Sequence, residues 1–354
     1  MQWKKYNIGL VLFPILIFSL GFVSLLSVSP THAKQQFIYF LIGIGFYFVF
    51  ANIGYKYILK FWKYIFFANV FVLFLTIFMG RIGGGSVRWL SVLGFTFQPS
   101  EFAKLSLILS LSAILSKKKD YVGSFKGLLH SFFIFLPFFF LVVIQPDLGT
   151  ALILAFIYVG IIFCFGINKY LFFSLLFIFG LALEPGWNLL KDYQRNRILV
   201  FLNPQLDTLG SGYNVAQALI AVGSGGLLGK GLGKGSQSHL QFLPAYWTDF
   251  VFASFAEEWG FLGVVLLLTF YTAFLTSILY ILLKSSELSA QILLIGIFVI
   301  FFAQFFINVG MNMGIMPVTG IPLPFMTYGG SSLILHLILL GIAQNIWSHS
   351  KMNS

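Results

Sequence analysis

The chain has 354 residues, of which 59% are hydrophobic and only 9% carry a charge. Soluble domains are about 25% charged, so the composition excludes an ordinary soluble protein and indicates several membrane-spanning helices. In a soluble chain the net charge of +11 would suggest a nucleic-acid partner. Here most lysines lie in short loops between apolar segments, where they set the orientation of a membrane protein, so we expect no nucleic-acid partner.

Apolar segments near the length of a membrane span recur along the whole chain. We count ten of them, at residues 8–28, 36–54, 64–80, 102–116, 127–144, 148–165, 170–183, 250–283, 290–310 and 331–347. The first is longer than the apolar core of about 7–15 residues in a signal peptide, so we expect a span there. The eighth is long for one span and must tilt or extend beyond the bilayer. The sequence therefore predicts an all-α membrane protein whose single polytopic domain covers residues 1–354.

The basic residues predict how this domain is oriented. Ten spans place both termini on one side, and that side carries 12 basic residues against nine on the other, five of which fall in one long loop. The positive-inside rule then predicts cytoplasmic termini. All four arginines lie on the predicted outer side, and arginine is preferred where a planar group grips phosphate or carboxylate. We therefore expect an anionic, amphiphilic substrate on the outer side.

The longest polar stretch, residues 184–249, lies between the seventh and eighth apolar segments. It contains Arg195, Arg197 and three of the five aspartates, together with too many apolar and aromatic residues for a disordered loop. We predict a folded extracytoplasmic cap. Three further outer segments, 81–104, 145–150 and 308–332, combine glycine, proline and charge. Irregular backbone near a membrane is tolerated where it is buried or lines a cavity, so the four segments are expected to meet around one cavity.

Asp249, at the end of the cap, is the strongest candidate for chemistry. A carboxylate that loses solvent where the cap meets the eighth apolar segment has a raised pKa and can act as a base. The alternative is an N-cap of the eighth helix. Glu257 and Glu258 lie about two turns further along. They must face protein or water, and pairing with outer basic residues is as well supported as a catalytic role.

Several other charged or aromatic residues allow two interpretations. Lys104 either pairs with Glu101 at spacing i,i+3 or presents a cation to a phosphate. Asp147 follows Pro146 and is expected to cap the next helix through the backbone of Gly149 or Thr150. Trp89 is either an interfacial aromatic residue or a platform for stacking a sugar.

The glycine-rich run GLLGKGLGKGS (226–236) resembles a phosphate-binding loop but does not meet its requirements. Gly233 and Lys234 are followed by Gly235 instead of serine or threonine, and no strand precedes the run. The glycines are better explained by tight turns and close backbone approach.

Five motifs together resemble the SEDS family, named for shape, elongation, division and sporulation. They are QPSEFAK (98–104) after RW (88–89), QPDLGTAL (145–152), GSGYNVAQALIAVGSGGLLGKGLGKG (210–235), HLQFLPAYWTDFVFASFAEEWGFLG (239–263) and MPVTGIPLPFMTYGGSSL (316–333). The resemblance covers the whole chain in the same order. The GIPLP run and Thr319 resemble the elongation branch of the family more than the division branch.

The resemblance implies a peptidoglycan glycosyltransferase that polymerises lipid II into β-1,4-linked strands outside the bacterial cytoplasmic membrane. It implies a class B penicillin-binding protein and membrane proteins of the elongation complex as partners, Asp249 as the essential acid, and a divalent cation, Mg²⁺ or Mn²⁺, in place of a nucleotide. Asp249 is then either the base or a ligand of that cation. The substrate-binding residues implied are Arg88, Trp89, Gln98, Glu101, Lys104, Asp147, Arg195 and Arg197.

One position departs from the family pattern. Members usually have Glu before the TDF motif, whereas here Pro244 is followed by Ala245. A mechanism with two carboxylates would then have to use Glu257 or Glu258. Two rival functions remain at this point. A lipid II flippase would place ionisable residues or broken helices near the middle of the membrane, and an inactive scaffold would not depend on Asp249.

Overall fold

The computed structural model describes residues 6–83, 86–92, 95–117, 124–165, 180, 187–188, 192–203, 207 and 210–352. Within these ranges the chain is predominantly helical. We number the helices in chain order: α1 Gly9–Val28, α2 Pro30–Asn52, α3 Tyr55–Lys60, α4 Trp62–Met79, α5 Pro99–Leu115, α6 Phe125–Ile144, α7 Leu148–Cys164, α8 Asp192–Leu202, α9 Ser211–Ser224, α10 Ser236–His239, α11 Val251–Lys284, α12 Leu288–Asn312 and α13 Gly330–Met352.

Long apolar helices confirm a multi-pass membrane protein. Within the described ranges, seven helices are long and apolar enough to cross a bilayer. Helices α5 and α7 have 17 residues each, or about 25 Å at 1.5 Å per residue. Nine of the ten predicted segments coincide with helices. The seventh, 170–183, lies outside the described residues, so the number of spans and the position of the long loop stay predictions.

The helices differ strongly in how much of their surface the protein covers. About 89% of the apolar window of α13 is buried inside the bundle, against 11% for α4. Helix α5 is also buried along nearly its whole length. Helices with little burial and an apolar surface suit contact with lipid, whereas α5, α12 and α13 form the centre of the bundle. Polar side chains on these central helices therefore have other helices, not lipid, as neighbours.

A small antiparallel sheet precedes α5. Strand β1, Arg81–Gly83, pairs with β2, Ser86–Val92, which pairs with β3, Phe95–Phe97. The register places Arg81 opposite Trp89 and Leu90 opposite Phe97. The expectation of irregular backbone in this segment is therefore wrong. Main-chain pairing within a sheet satisfies backbone polar groups that would otherwise be left near the membrane.

Helix α11 is interrupted at Gly260, and the glycine-rich loop of the cap supplies hydrogen bonds to the backbone groups left without helical partners. Gly260 has φ +65° and ψ −167°, a conformation that glycine adopts without strain. The freed carbonyls of residues 257 and 258 accept from the N–H groups of Lys230 and Gly231, at 3.0 and 3.1 Å. The N–H groups of residues 261 and 262 donate to the carbonyls of residues 226 and 227, at 2.8 and 3.1 Å. The glycine-rich run therefore replaces missing helical hydrogen bonds, as buried backbone requires.

The two ends of the bundle are distinct. We call the end that contains the N-terminus of α11, the C-terminus of α12 and the small sheet the Asp249 end. The other end, where α3 meets the connection between α11 and α12, we call the opposite end. There Glu287 accepts hydrogen bonds from Tyr55 and Lys56, both at 2.6 Å, which lower the pKa of its carboxyl group. The polar clusters around Asp147 and Asp249 lie at the Asp249 end.

Candidate functional site

Asp147 is the hub of a polar cluster between α6 and α7. It is the N-cap of α7, and its Oδ1 accepts from the backbone N–H of Thr150 at 3.3 Å, which confirms the predicted cap. Arg88 Nη1 lies 3.4 Å from the same oxygen. Oδ2 accepts from Gln98 Nε2 at 2.9 Å, Ser100 Oγ at 3.1 Å and Thr150 Oγ1 at 2.8 Å. One buried carboxylate thus joins the small sheet, α5 and α7.

Asp249 lies in the last turn before α11. The residue at the N-cap position is Phe250, and no side chain caps that helix from there, so the interpretation of Asp249 as an N-cap is wrong. Asp249 is partly buried. Burial raises the pKa of its carboxyl group, and the positive charges of Arg197 and Arg88 oppose that rise. In the described part of the chain no hydrogen bond reaches this carboxylate, which leaves it available to a substrate.

Glycines bring the 308–332 segment against both aspartates. A Cβ atom at Gly149 would lie 2.7 Å from the carbonyl oxygen of Thr319, so the first turn of α7 touches that segment directly. A Cβ atom at Gly320 would lie 3.6 Å from Asp249 Oδ2. Gln98 also donates its N–H to Ser331 Oγ at 3.1 Å. These contacts confirm that the four polar segments meet, with Arg197 contributing the charge from the cap, whereas a single cavity among them stays a prediction.

Lys104 and Glu101 form a buried ion pair. Lys104 Nζ lies 2.6 Å from Glu101 Oε1, and the two side chains are 1% and 5% exposed. The i,i+3 pair is therefore confirmed. Glu101 Oε2 has no hydrogen-bond partner among the described residues. A substrate-binding role for these two residues stays a prediction, as it does for Trp89, which lies on β2 and is partly buried.

The two cap arginines have different surroundings. Arg195 donates to the carbonyls of Trp187 and Asn188, at 3.0 and 2.8 Å. Arg197 acts electrostatically on Asp249 and lines an apolar cavity of about 80 Å³ formed with residues of α9 and with 314–318. Residues two apart on a helix point in different directions. Arg197 therefore acts on the Asp249 carboxylate, whereas Arg195 binds backbone carbonyls of the cap.

Glu257 and Glu258 hold the glycine-rich loop. Glu257 is 0% exposed and lies 2.6 Å from Lys230 Nζ. Glu258 accepts from Ser27 Oγ at 2.6 Å and lies 3.3 Å from His239 Nε2. Both acids therefore face protein, as predicted, and both have structural partners. The pairing of Glu257 with a cap lysine is confirmed.

An aromatic cluster flanks Asp249 and was not identified from the sequence. His32 stacks on Trp247 with ring centroids 5.0 Å apart and meets the edge of Tyr328 at 4.7 Å. Tyr328 also donates its N–H to the Trp247 carbonyl at 3.0 Å. The three rings come from distant parts of the chain, so no local pattern could have predicted the cluster. It forms one wall beside the loop that carries Asp249.

The family model described as "Cell cycle protein", which covers FtsW, RodA and SpoVE, matches residues 5–352. The chain belongs to the FtsW/RodA/SpoVE family. One relative within this family is the peptidoglycan glycosyltransferase MrdB of Escherichia coli K12, 38% identical over 276 residues, which cover 78% of this chain and 74% of the relative. Another is the stage V sporulation protein E of Bacillus subtilis, 34% identical, with 97% of each chain covered.

A solved structure of the same family confirms the fold. The rod-shape-determining protein RodA of Thermus thermophilus is 30% identical, covers 98% of both chains and superimposes with a TM-score of 0.73.

The divalent cation expected from the sequence can be compared with the side chains around Asp249. Within the described residues no group of three or more His, Cys, Asp and Glu side chains could hold a metal ion. Magnesium, however, is commonly held by one or two carboxylates together with substrate phosphates. Asp249 supplies one carboxylate that has no hydrogen-bond partner among the described residues, and the positive charges of Arg197 and Arg88 act on it. These residues fit a cation only when substrate oxygens complete its coordination.

Ala245, the departure from the family pattern, has an unusual backbone. Its φ is +51°, which is uncommon for a residue with a Cβ atom. Its carbonyl accepts from the N–H groups of Thr248 and Phe250, at 3.0 and 3.2 Å. This tight turn presents the backbone of Asp249 without a carboxylate at position 245. Glu257 and Glu258 are already paired with Lys230 and Ser27, so neither stands in for a carboxylate at position 245.

Proposed function

We propose that this protein is a peptidoglycan glycosyltransferase that polymerises lipid II into β-1,4-linked glycan strands for cell elongation. The observation that carries the proposal is the free carboxylate of Asp249, whose pKa is raised by burial while Arg197 and Arg88 lie near it. A base with a raised pKa and cations for a leaving phosphate are the two requirements of this transfer. The relatives named as peptidoglycan glycosyltransferases support the same reaction.

The reaction follows from this arrangement. Asp249 accepts the proton of the 4-hydroxyl of the acceptor N-acetylglucosamine. The oxygen attacks C1 of the donor muramyl sugar, the new O4–C1 bond forms with inversion, and the bond from C1 to the pyrophosphate oxygen breaks. The electron pair leaves with the pyrophosphate, whose charge the guanidinium groups of Arg88 and Arg197 stabilise. Because pyrophosphate leaves readily, no second carboxylic acid is needed, in contrast to glycoside hydrolases.

A divalent cation beside Asp249 would add further positive charge next to the pyrophosphate. As a metal ligand, in place of the base, Asp249 would hold the ion together with oxygens of the substrate pyrophosphate. Such an ion supplies Lewis-acid stabilisation of the leaving phosphate. The buried Lys104 and Glu101 lie on α5, near the cluster around Asp147, and we assign them to the support of this phosphate-binding region.

The partners and the location follow from the same function. A structure described as a peptidoglycan synthase complex that coordinates polymerization and crosslinking is 31% identical to this chain, covers 98% of both chains and has a TM-score of 0.83. We propose a class B penicillin-binding protein as the crosslinking partner, with further membrane proteins of the elongation complex. We place the protein in the bacterial cytoplasmic membrane, with cytoplasmic termini and the Asp249 end outside. The cap at residues 184–249 is then extracytoplasmic.

The test uses purified full-length protein, alone and with its transpeptidase partner, in detergent with lipid II and Mg²⁺ or Mn²⁺. Long glycan strands are expected from the wild type and none from Asp249→Ala. Asp192→Asn is the matched control, because Asp192 is exposed on α8, and it should polymerise normally. If neither the wild type nor the variant forms strands while wild-type liposomes move lipid II between leaflets, the protein is a transporter.

A further inference from the structure

Two asparagines on α12 donate hydrogen bonds to the backbone of Asp249. Asn308 and Asn312 are one helical turn apart, so they lie on the same face of the helix. Both are 0% exposed, in a helix that is otherwise almost entirely apolar. A buried amide is costly unless its donors and acceptor are satisfied. The partners that satisfy these two amides therefore indicate why they occupy these positions.

Both amides donate to the same main-chain oxygen. The carbonyl of Asp249 accepts from Asn308 Nδ2 at 3.2 Å and from Asn312 Nδ2 at 3.0 Å. Asn312 Oδ1 accepts from the N–H of Ala253 at 3.1 Å. Ala253 lies in the first turn of α11, whose own N-cap position provides no side-chain acceptor. Asn312 thus caps α11 from a neighbouring helix, and its amide holds the chain on both sides of the start of α11, at Asp249 and at Ala253.

Asn308 also ties this turn to the opposite wall of the site. Its Nδ2 donates to the carbonyl of Ile321 at 2.8 Å. Ile321 follows Gly320, whose Cβ position is 3.6 Å from Asp249 Oδ2. One amide group therefore holds the backbone that carries the carboxylate and the backbone that faces it. The distance between these two walls determines where the carboxylate lies relative to a bound sugar.

We propose that Asn308 and Asn312 are positioning residues for glycosyl transfer. They fix the main chain of Asp249 so that its carboxylate is directed at the acceptor hydroxyl, and they contact neither sugar nor pyrophosphate. This inference rests on the proposed function of Asp249 as the base. Misplacement of a reacting group by about 1 Å costs on the order of 100-fold in rate. Loss of either amide should therefore lower kcat and leave KM nearly unchanged.

A buried asparagine at the opposite end of the bundle provides a matched control. Asn345 is 2% exposed. Its Nδ2 donates to the Ala51 carbonyl at 2.9 Å, and its Oδ1 accepts from the N–H of Tyr55 at 2.9 Å. Asn345 therefore makes the same kinds of backbone contact as Asn312, in an equally buried place, without contact with the Asp249 end. Its loss reports the purely structural cost of removing a buried amide.

The experiment compares Asn308→Leu, Asn312→Leu and Asn345→Leu in the full chain with its transpeptidase partner. Thermal unfolding and lipid II polymerisation are measured for each, with rates taken well below every melting temperature. We expect kcat to fall roughly 10- to 100-fold for the first two variants, with KM within about twofold of wild type. We expect the third to lose stability and keep kcat within about twofold. Normal kcat in the first two, or an equal loss in all three, would overturn the proposal.

Serine variants cover the case in which leucine prevents folding. Asn308→Ser and Asn312→Ser keep one hydroxyl donor in a smaller side chain, and both should fold with a reduced kcat. A serine variant with wild-type kcat would overturn the proposal. An inactive wild type would overturn the proposed function and this inference together, whereas an active wild type with active variants would overturn only the inference.

Discussion

At the scale of single residues, the two aspartates of the site have opposite surroundings. Every partner of Asp147 is a donor: Arg88, Gln98, Ser100 and both the N–H and the hydroxyl of Thr150. The Asp249 carboxylate is partly buried and its pKa is raised. The first carboxylate therefore stabilises the fold, whereas ionisation of the second lowers stability.

Isosteric amide substitutions should separate these two roles. Asp147→Asn replaces an acceptor oxygen by an NH₂ group that faces donors, and should cost about 2–5 kcal/mol of stability.

The folded-state pKa of Asp249 lies above its unfolded value, so the contribution of Asp249 to stability is lost as pH rises through the folded pKa. Asp249→Asn removes that ionisation. Its melting temperature at pH 7 should equal or exceed that of wild type by about 1–4 °C, with no polymerisation. Thermal unfolding of both variants checks this, and a less stable Asp249→Asn would contradict it.

The sequence predicted some of these residues and missed others for physical reasons. Asp249 could be identified because burial of a carboxylate at the start of an apolar segment costs free energy, and adjacent residues alone reveal that position. The N-cap role of Asp147 was also local and is confirmed. Its contacts with Arg88 and Gln98 depend on how distant segments fold together. Asn308 and Asn312 carry no charge, and their only sequence signal was the polar run that begins at residue 308.

At the scale of elements, the break in α11 is the feature on which the cap depends. A single glycine inside an apolar helix pattern gives no sign that the helix is interrupted, so Gly260 could not have been singled out. Its partner run, 226–236, was correctly predicted to permit close backbone approach. The small sheet was missed because its glycine-rich sequence resembles an irregular loop. Long apolar runs, by contrast, predicted most helices to within a few residues.

Substitution of Gly260 tests whether α11 depends on close contact with the cap loop at this interruption. A Cβ atom there would lie 2.1 Å from the backbone N of Gly229, and φ is +65°. Gly260→Ala should therefore separate the cap loop from α11 and abolish both stable folding and polymerisation. Gly45→Ala in α2 is the control, because no described atom beyond its chain neighbours and its own helical backbone lies within 4 Å of its Cβ position, and it should be neutral or stabilise by about 0.5–1 kcal/mol. Melting curves in detergent compare the two, and a stable, active Gly260→Ala protein would refute the account.

At the scale of the whole molecule, segments that are far apart in the chain converge at one end of a helical bundle. Arg88, Asp147, Asp249 and Gly320 come from four such segments. Composition and charge pattern were enough to predict a membrane bundle with a polar end. They could not predict which side chains meet there, because that depends on packing among α5, α12 and α13.

The orientation of the bundle can be measured by cysteine labelling. Cys164 is the chain's one cysteine and is exposed, so Cys164→Ser gives a cysteine-free background. In that background, Asp192→Cys on α8 should react with a membrane-impermeant maleimide in intact spheroplasts. Ser286→Cys, exposed at the opposite end, should react only after the membrane is permeabilised. The reverse pattern would contradict the proposed extracytoplasmic location of the site.

The most direct test of the central claim is the pH dependence of polymerisation at saturating lipid II. A carboxylate base must be ionised, so the rate should fall on the acid side with an apparent pKa above the usual value of about 3.9 for aspartate. Arg197 lowers the pKa of Asp249, so Arg197→Gln should move this acid limb to higher pH. That shift would identify Asp249 as the group that titrates. An acid limb that stays in place, or moves to lower pH, would contradict the assignment of Asp249 as the base.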